Sequence, residues 1–234
     1  QKADLILTPE VSSLFLLEKK QLLKICTSMD KDIYLKGIKE LATKYRKWIL
    51  VGSLVIKVSK NKLVNRSVLI DSKGKIRCYY DKIHMYDVIL NKKEKYFESQ
   101  TYTAGKKIKS FKLPWGKIGL TICYDLRFPN LFRNLAKRGA QIILIPAAFT
   151  VPSGKAHWEV MLRSRAIENS LFVVATNMCG IHHTNRKTYG HSILVNPWGE
   201  IISKSKSKPK ILNTKINLDE IQNTRNKIPA ILND

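Results

Sequence analysis

The chain has 234 residues, 44% of them hydrophobic, and carries 42 Lys and Arg against 18 Asp and Glu, a net charge of +24. This length supports one substantial core, so residues 1–234 read as a single domain, and apolar runs such as Ile142–Ala148 and Leu171–Ala175 are far too short to span a bilayer. Four scattered cysteines without a CxxC pair argue for reduced thiols and a cytoplasmic setting, and the basic excess favours anionic substrates or acidic partners. The lysine runs (Lys57 to Lys62; Lys204, Lys206, Lys208 and Lys210) lack interleaved aromatics, which reads as a solvated surface and not as a specific nucleic-acid platform.

In chain order, Leu5–Leu7 reads as a strand leading into Thr8 and Pro9. Tyr34, Ile38, Leu41, Tyr45 and Trp48 recur at three- and four-residue steps, predicting a helix from Asp30 to Trp48 with Asp30 as its cap. Leu50–Ile56 and Ser67–Asp71 are β-rich, and the turn signal Asp71-Ser72-Lys73-Gly74 precedes a strand at Ile76–Tyr80. Lys117–Cys123 reads as a strand ending at a thiol, followed by a helix at Phe128–Arg138 closed by Gly139 and a strand at Gln141–Ile145. His157–Asn169 has helical spacing and Leu171–Thr176 reads as a buried strand. His191–Asn196 and Glu200–Ser203 flank the turn Asn196-Pro197-Trp198-Gly199, and a further strand is expected at Ile211–Ile216. The low-complexity stretch Ser203–Lys208 reads as an exposed loop. Helices interleaved with strands and hairpins imply an α/β layered domain.

Cys123 stands where a buried strand must turn before a helix, a position that projects a nucleophile from a rigid scaffold beside backbone N–H groups able to hold an oxyanion. Taken singly, Cys123 reads more readily as an inert core thiol, and Glu10, Lys82 and Glu159 as surface charges. His157, His182, His183 and His191 lack metal-ligand spacing, so no metal and no cofactor are expected.

Read together, four segments resemble the carbon-nitrogen hydrolase (nitrilase) family: Leu7-Thr8-Pro9-Glu10, Tyr80-Asp81-Lys82-Ile83-His84, Cys123-Tyr124-Asp125-Leu126-Arg127-Phe128-Pro129, and His157-Trp158-Glu159 with Arg163 to Asn169. The resemblance implies a four-layer α-β-β-α sandwich and a Glu-Lys-Cys triad. Cys123 would be the nucleophile, Glu10 the general base, and Lys82 with the Tyr124 backbone N–H the oxyanion holder. Glu159 would hydrogen-bond Lys82 or the attacking water, while Asp125 and Arg127 read as a structural ion pair or loop brace and not as catalysts. It also implies a small-molecule amide substrate and pairing into homodimers or higher oligomers, for which exposed apolar residues on Phe128–Ala136 are expected. Relatives begin with a strand and helix before the glutamate motif, so this chain is expected to be N-terminally incomplete, lacking its first strand and helix.

Thr176 to His183, Tyr189 to Ser192 and Asn196 to Gly199 are most similar to the branch that includes the deaminated glutathione amidases. That branch implies hydrolysis of a terminal amide on a small carboxylate-bearing molecule, such as an α-keto acid amide, with release of ammonia. Lys155, His182 and His183 are the candidates for contacting substrate. A nitrilase, an N-carbamoyl amidohydrolase, a catalytically silent relative and a polyanion-binding protein are the competing readings; salt-sensitive nucleic-acid binding would mark the last.

Overall fold

The computed structural model describes residues 3–15, 18–92, 94–231 and 233. It divides into two compact units, one running to Lys107 and the other beginning at Ile108.

In the first unit, β1 (Leu5–Leu7) is followed by α1 (Lys19–Ile25) and α2 (Ile33–Tyr45). The cap of α2 is Asp32 and not Asp30: its carboxylate accepts the Leu35 N–H at 2.7 Å, so the helix starts later than its apolar spacing predicts. It ends at Arg46, whose φ of 50° is left-handed and stops the helix before Trp48. β2 (Trp48–Ser59), β3 (Lys62–Ile70) and β4 (Ile76–Asp81) form an antiparallel meander, and β1 joins its edge parallel to β2. The 71–74 turn forms as expected, with Asp71 Oδ1 accepting the N–H groups of Lys73 and Lys75, both at 2.9 Å. Two short strands that had no sequence signal, β5 (Asp87–Ile89) and β6 (Lys95–Phe97), pair antiparallel.

β2 shifts register between Val51 and Leu54. A bulge exchanges the faces of a strand, and so Ile49 and Val51 share one apolar cluster with Leu54 and Ile56, together with Leu35 and Ala42 of α2. The residues bracketed by that shift hold the chain after β1. The Gly52 N–H donates to Thr8 Oγ1 at 2.8 Å, and Ser53 Oγ accepts the Val11 N–H at 2.8 Å.

The second unit contains β7 (Lys109–Leu113), β8 (Gly116–Leu120), α3 (Pro129–Lys137) and β9 (Ile142–Ala147). Then α4 (Val151–Ser153) runs through a widened π-helical stretch, Gly154–Trp158, into α5 (Glu159–Asn169). β10 (Phe172–Asn177), β11 (Cys179–Ile181), β12 (Lys187–Tyr189), β13 (Ile193–Val195), β14 (Ile201–Lys204) and α6 (Asp219–Lys227) follow. The main sheet has the order β14-β13-β10-β9-β8-β7, with β8, β9 and β10 parallel and the outer pairs antiparallel. Parallel strands with helical connections are covered on both faces, which accounts for the unbroken burial of β9. Gly119 lets α3 lie close on β8, since a Cβ there would stand 3.0 Å from the Leu135 side chain.

The α/β class is borne out, with two principal sheets each carrying its own helices. Three local expectations are corrected. Ile211–Ile216 pairs with no strand, and Ile211 is 81% exposed; alternation alone does not make a strand without an edge to pair with. Ser203 and Lys204 belong to β14, and Ser205 is buried with its N–H on the Ser192 carbonyl at 2.9 Å, so only the end of the Ser203–Lys208 stretch is exposed loop. The apolar residues Leu131, Phe132, Leu135 and Ala136 of α3 are buried, and do not form an exposed face for self-pairing. Among the described residues no helix is long and apolar enough to cross a membrane.

Candidate active site

In the first unit the elements converge on a buried ion cluster. Glu10 follows β1 in the turn that the β2 bulge holds, where Val11 takes a φ of 48°. Lys82 directly follows β4, and its backbone is fixed from both sides: its N–H donates to the Asn65 carbonyl at 2.9 Å and its carbonyl accepts the Gly105 N–H at 2.7 Å. Glycine is required at 105, since a Cβ would lie 2.2 Å from the Asp81 carbonyl oxygen. Next to Lys82, Asp81 makes a two-point ion pair with Arg66, at 2.6 and 2.8 Å, tying β4 to β3.

The Lys82 side chain is 2% exposed, and its Nζ lies 2.9 Å from Glu10 Oε1 and 2.7 and 3.0 Å from the two oxygens of Glu98. Glu98 opens a short 3₁₀ turn after β6, and its Oε2 also accepts the Tyr86 N–H at 2.7 Å. Asn65 of β3 donates from Nδ2 to Glu10 Oε1 at 2.9 Å and to Glu98 Oε1 at 3.2 Å. Tyr102 completes the surroundings: burial, reinforced by the Glu98 and Glu10 carboxylates against Lys82, holds its hydroxyl well above the usual tyrosine range. Burying an ammonium is tolerable only when it is paired and hydrogen-bonded, and Lys82 meets that condition.

The second unit carries the thiol. Cys123 follows β8, is buried, and has a φ of 48°, a conformation that a non-glycine residue adopts only when its surroundings enforce it. Contacts of the neighbouring residues brace the turn. The fully buried Asp125 accepts the Ile122 N–H at 2.9 Å, closing the turn, and Arg165 of α5 donates to the Leu126 carbonyl at 3.0 Å. Asp125 is therefore a loop brace. Arg127 lies 3.3 Å from His157 Nδ1 and 5.7 Å from the centroids of both the Tyr124 and Phe149 rings. The strand expected to run to the thiol stops at Leu120; Cys123 opens a short 3₁₀ turn over Cys123–Arg127, and the proline-started helix α3 follows at Pro129.

Glu159 does not share this degree of burial. Its carboxylate pairs with Lys204, and both side chains are more than a third exposed. The acid that joins Glu10 on Lys82 is Glu98, which no sequence motif marked; its signal was a lone carboxylate between Phe97 and Ser99 in a segment without periodicity. Lys155 and His183 are exposed. His182 is half-buried with Nε2 2.7 Å from Thr188 Oγ1, and burial followed by the Arg186 charge lowers its pKa.

The chain belongs to the carbon-nitrogen hydrolase family, whose model matches residues 1–226. It is thus an enzyme of the class acting on carbon–nitrogen bonds other than peptide bonds. Among its relatives, deaminated glutathione amidase of Yersinia enterocolitica is 42% identical over 197 residues, which are 83% of this chain and 69% of that protein. The deaminated glutathione amidase of Synechocystis sp. is 36% identical over 84% of this chain and 74% of its own length. The crystal structure of the Caenorhabditis elegans NitFhit protein superposes with a TM-score of 0.91 at 35% identity, covering 99% of this chain and 57% of that one. This chain is an amidohydrolase on the strength of these likenesses, and it shares the nitrilase fold.

Proposed function

We propose that the chain hydrolyses the terminal amide of a small carboxylate-bearing molecule through a thioester on Cys123. Glu10 takes the thiol proton as the sulfur attacks the amide carbonyl, and the tetrahedral oxyanion is held by the Lys82 charge and the Tyr124 N–H. Glu10 then protonates the departing ammonia as the carbon–nitrogen bond breaks. Water, deprotonated by Glu10, attacks the thioester, and the carboxylic acid and the thiol are released. Glu98, in place of Glu159, is the second glutamate of this mechanism, keeping the ammonium aimed. The observation that carries the reading is the buried Lys82 held by Glu10 and Glu98, a costly arrangement with little structural purpose, in a chain whose cysteine sits on a strained strand-to-helix turn.

The substrate class follows from the relatives. Several named deaminated glutathione amidase are 36–42% identical, and the net charge of +24 favours an anionic substrate. An α-keto acid amide, deaminated glutathione among them, is therefore the expected substrate. The test is ammonia release from a panel of such amides by wild type, Cys123→Ala and Lys82→Ala, with mass spectrometry for an acyl adduct on Cys123. Release by wild type alone supports the mechanism; folded wild type that neither releases ammonia nor acquires the adduct refutes it.

A further inference from the structure

Asn65 stands out in neither charge nor motif, yet three of its bonds fall on the ion cluster. It is 1% exposed, its carbonyl fixes the Lys82 backbone, and its amide nitrogen donates to both glutamates. Its Oδ1 has no hydrogen-bond partner among the described residues. Proteins rarely leave a buried acceptor unpaired. Turning the amide over would set Oδ1 against two carboxylates at about the same distances, so the carboxylates dictate the orientation.

Charge explains why the donors are placed there. Two carboxylates share one ammonium, and acids this close normally resolve their repulsion by binding a proton. Hydrogen bonds donated to the ionised forms oppose that protonation. We propose that Asn65 is a positioning residue that keeps Glu10 ionised beside Glu98, so that Glu10 is ready to accept the thiol proton. The inference rests on the reading of Glu10 as the base. Lys82 and Asn65 both donate to Glu10 Oε1. The charged and titratable groups facing Glu10 and Glu98 include Lys82, each other and Tyr102, with the Tyr86 N–H at Glu98.

The test follows the carboxylic-acid C=O band of Glu10 by infrared difference spectroscopy during a pH titration, the band being assigned by its loss in Glu10→Gln. Asn65→Leu is nearly isosteric and removes both donors. The band is expected to grow in at a pH about one unit higher than in wild type, the tenfold change that losing one charge-assisted hydrogen bond brings. The acid limb of kcat/KM moves up by the same amount, and the rate recovers above it. Asn65→Asp keeps the shape, reverses the polarity and shifts the band further; it carries the test where the leucine variant does not fold. A band that stays in place, with a rate deficit equal at every pH, overturns the proposal. The infrared measurement needs no turnover, so a wild type inactive on amides condemns the hydrolytic reading separately.

Discussion

Replacing Lys82 by methionine isolates the electrostatics of the buried cluster from its chemistry. The side chain becomes one atom shorter and loses its charge, stranding Glu10 and Glu98, whose side chains are 6% and 12% exposed. Removing one partner from a buried ion pair costs about 3–5 kcal/mol, because the charge left behind is uncompensated. Here two carboxylates are left. For a chain of this size the loss corresponds to a fall in melting temperature of about 10 °C. Glu10→Gln leaves one ammonium facing one carboxylate and retains a hydrogen-bonding side chain, so its cost stays below about 2 kcal/mol. The sign of the pH dependence follows. At neutral pH Lys82→Met shows its full deficit, and on acidification toward pH 5 the stranded carboxyls take up protons more readily in the folded chain than in the unfolded one, so the deficit shrinks. Thermal melts of wild type and both variants at pH 7.5 and pH 5 measure this. Equal destabilisation by Glu10→Gln and Lys82→Met, or a Lys82→Met deficit that grows with acid, would refute the argument.

Two further outcomes separate the site residues from their neighbours. Glu98→Gln should lower kcat/KM by about 10²-fold, the cost of misplacing a catalytic group by an ångström, whereas Glu159→Gln, which breaks only the exposed pair with Lys204, should stay within a few-fold of wild type in the same amide assay; the reverse ranking would return Glu159 to the mechanism. Burial, with Asp32 adding and Lys57 opposing, pushes the Cys26 thiol up to about 11, so its iodoacetamide labelling should be negligible at pH 8, where about one thiol in a thousand is ionised, and rise tenfold per pH unit toward 11. Peptide mapping that finds Cys26 labelled as fast as Cys123 at pH 8 would contradict that assignment.

What was legible in the sequence is what is encoded in consecutive residues. The strand before Cys123, the proline at the start of α3 and the glycine after it lie within residues 117–139, and local pattern places all three; Gly139 takes the positive φ of 83° that a helix terminus asks of it. Asp30 and Asp32 are both acceptable caps on composition, and only the approach of the Leu35 N–H selects Asp32. Ile211–Ile216 alternates as a strand does, but pairing depends on an available sheet edge, which no local pattern reports. Glu98 and Asn65 were illegible for a related reason. One lies after a three-residue strand, the other midway along a nine-residue strand, and they meet only because the fold brings Glu10 and Glu98 to the Lys82 ammonium and Asn65 to both carboxylates.

The two halves of the chemistry thus answer to different kinds of substitution. The thiol turn is backbone geometry: the Asp125 carboxylate on the Ile122 N–H and Arg165 on the Leu126 carbonyl brace the turn in which Cys123 takes its positive φ, so changes at 125 or 165 are expected to act on the proposed nucleophile by loosening that turn. The ion cluster is side-chain electrostatics on a fixed frame. The Lys82 backbone is held by Asn65 and Gly105 regardless of charge, and changes at 10, 65 or 98 alter which groups are ionised without moving the chain. The proposed reaction needs a proton withdrawn from the sulfur and a negative charge accommodated on oxygen, and substitutions at the thiol turn and at the ion cluster test the two requirements separately.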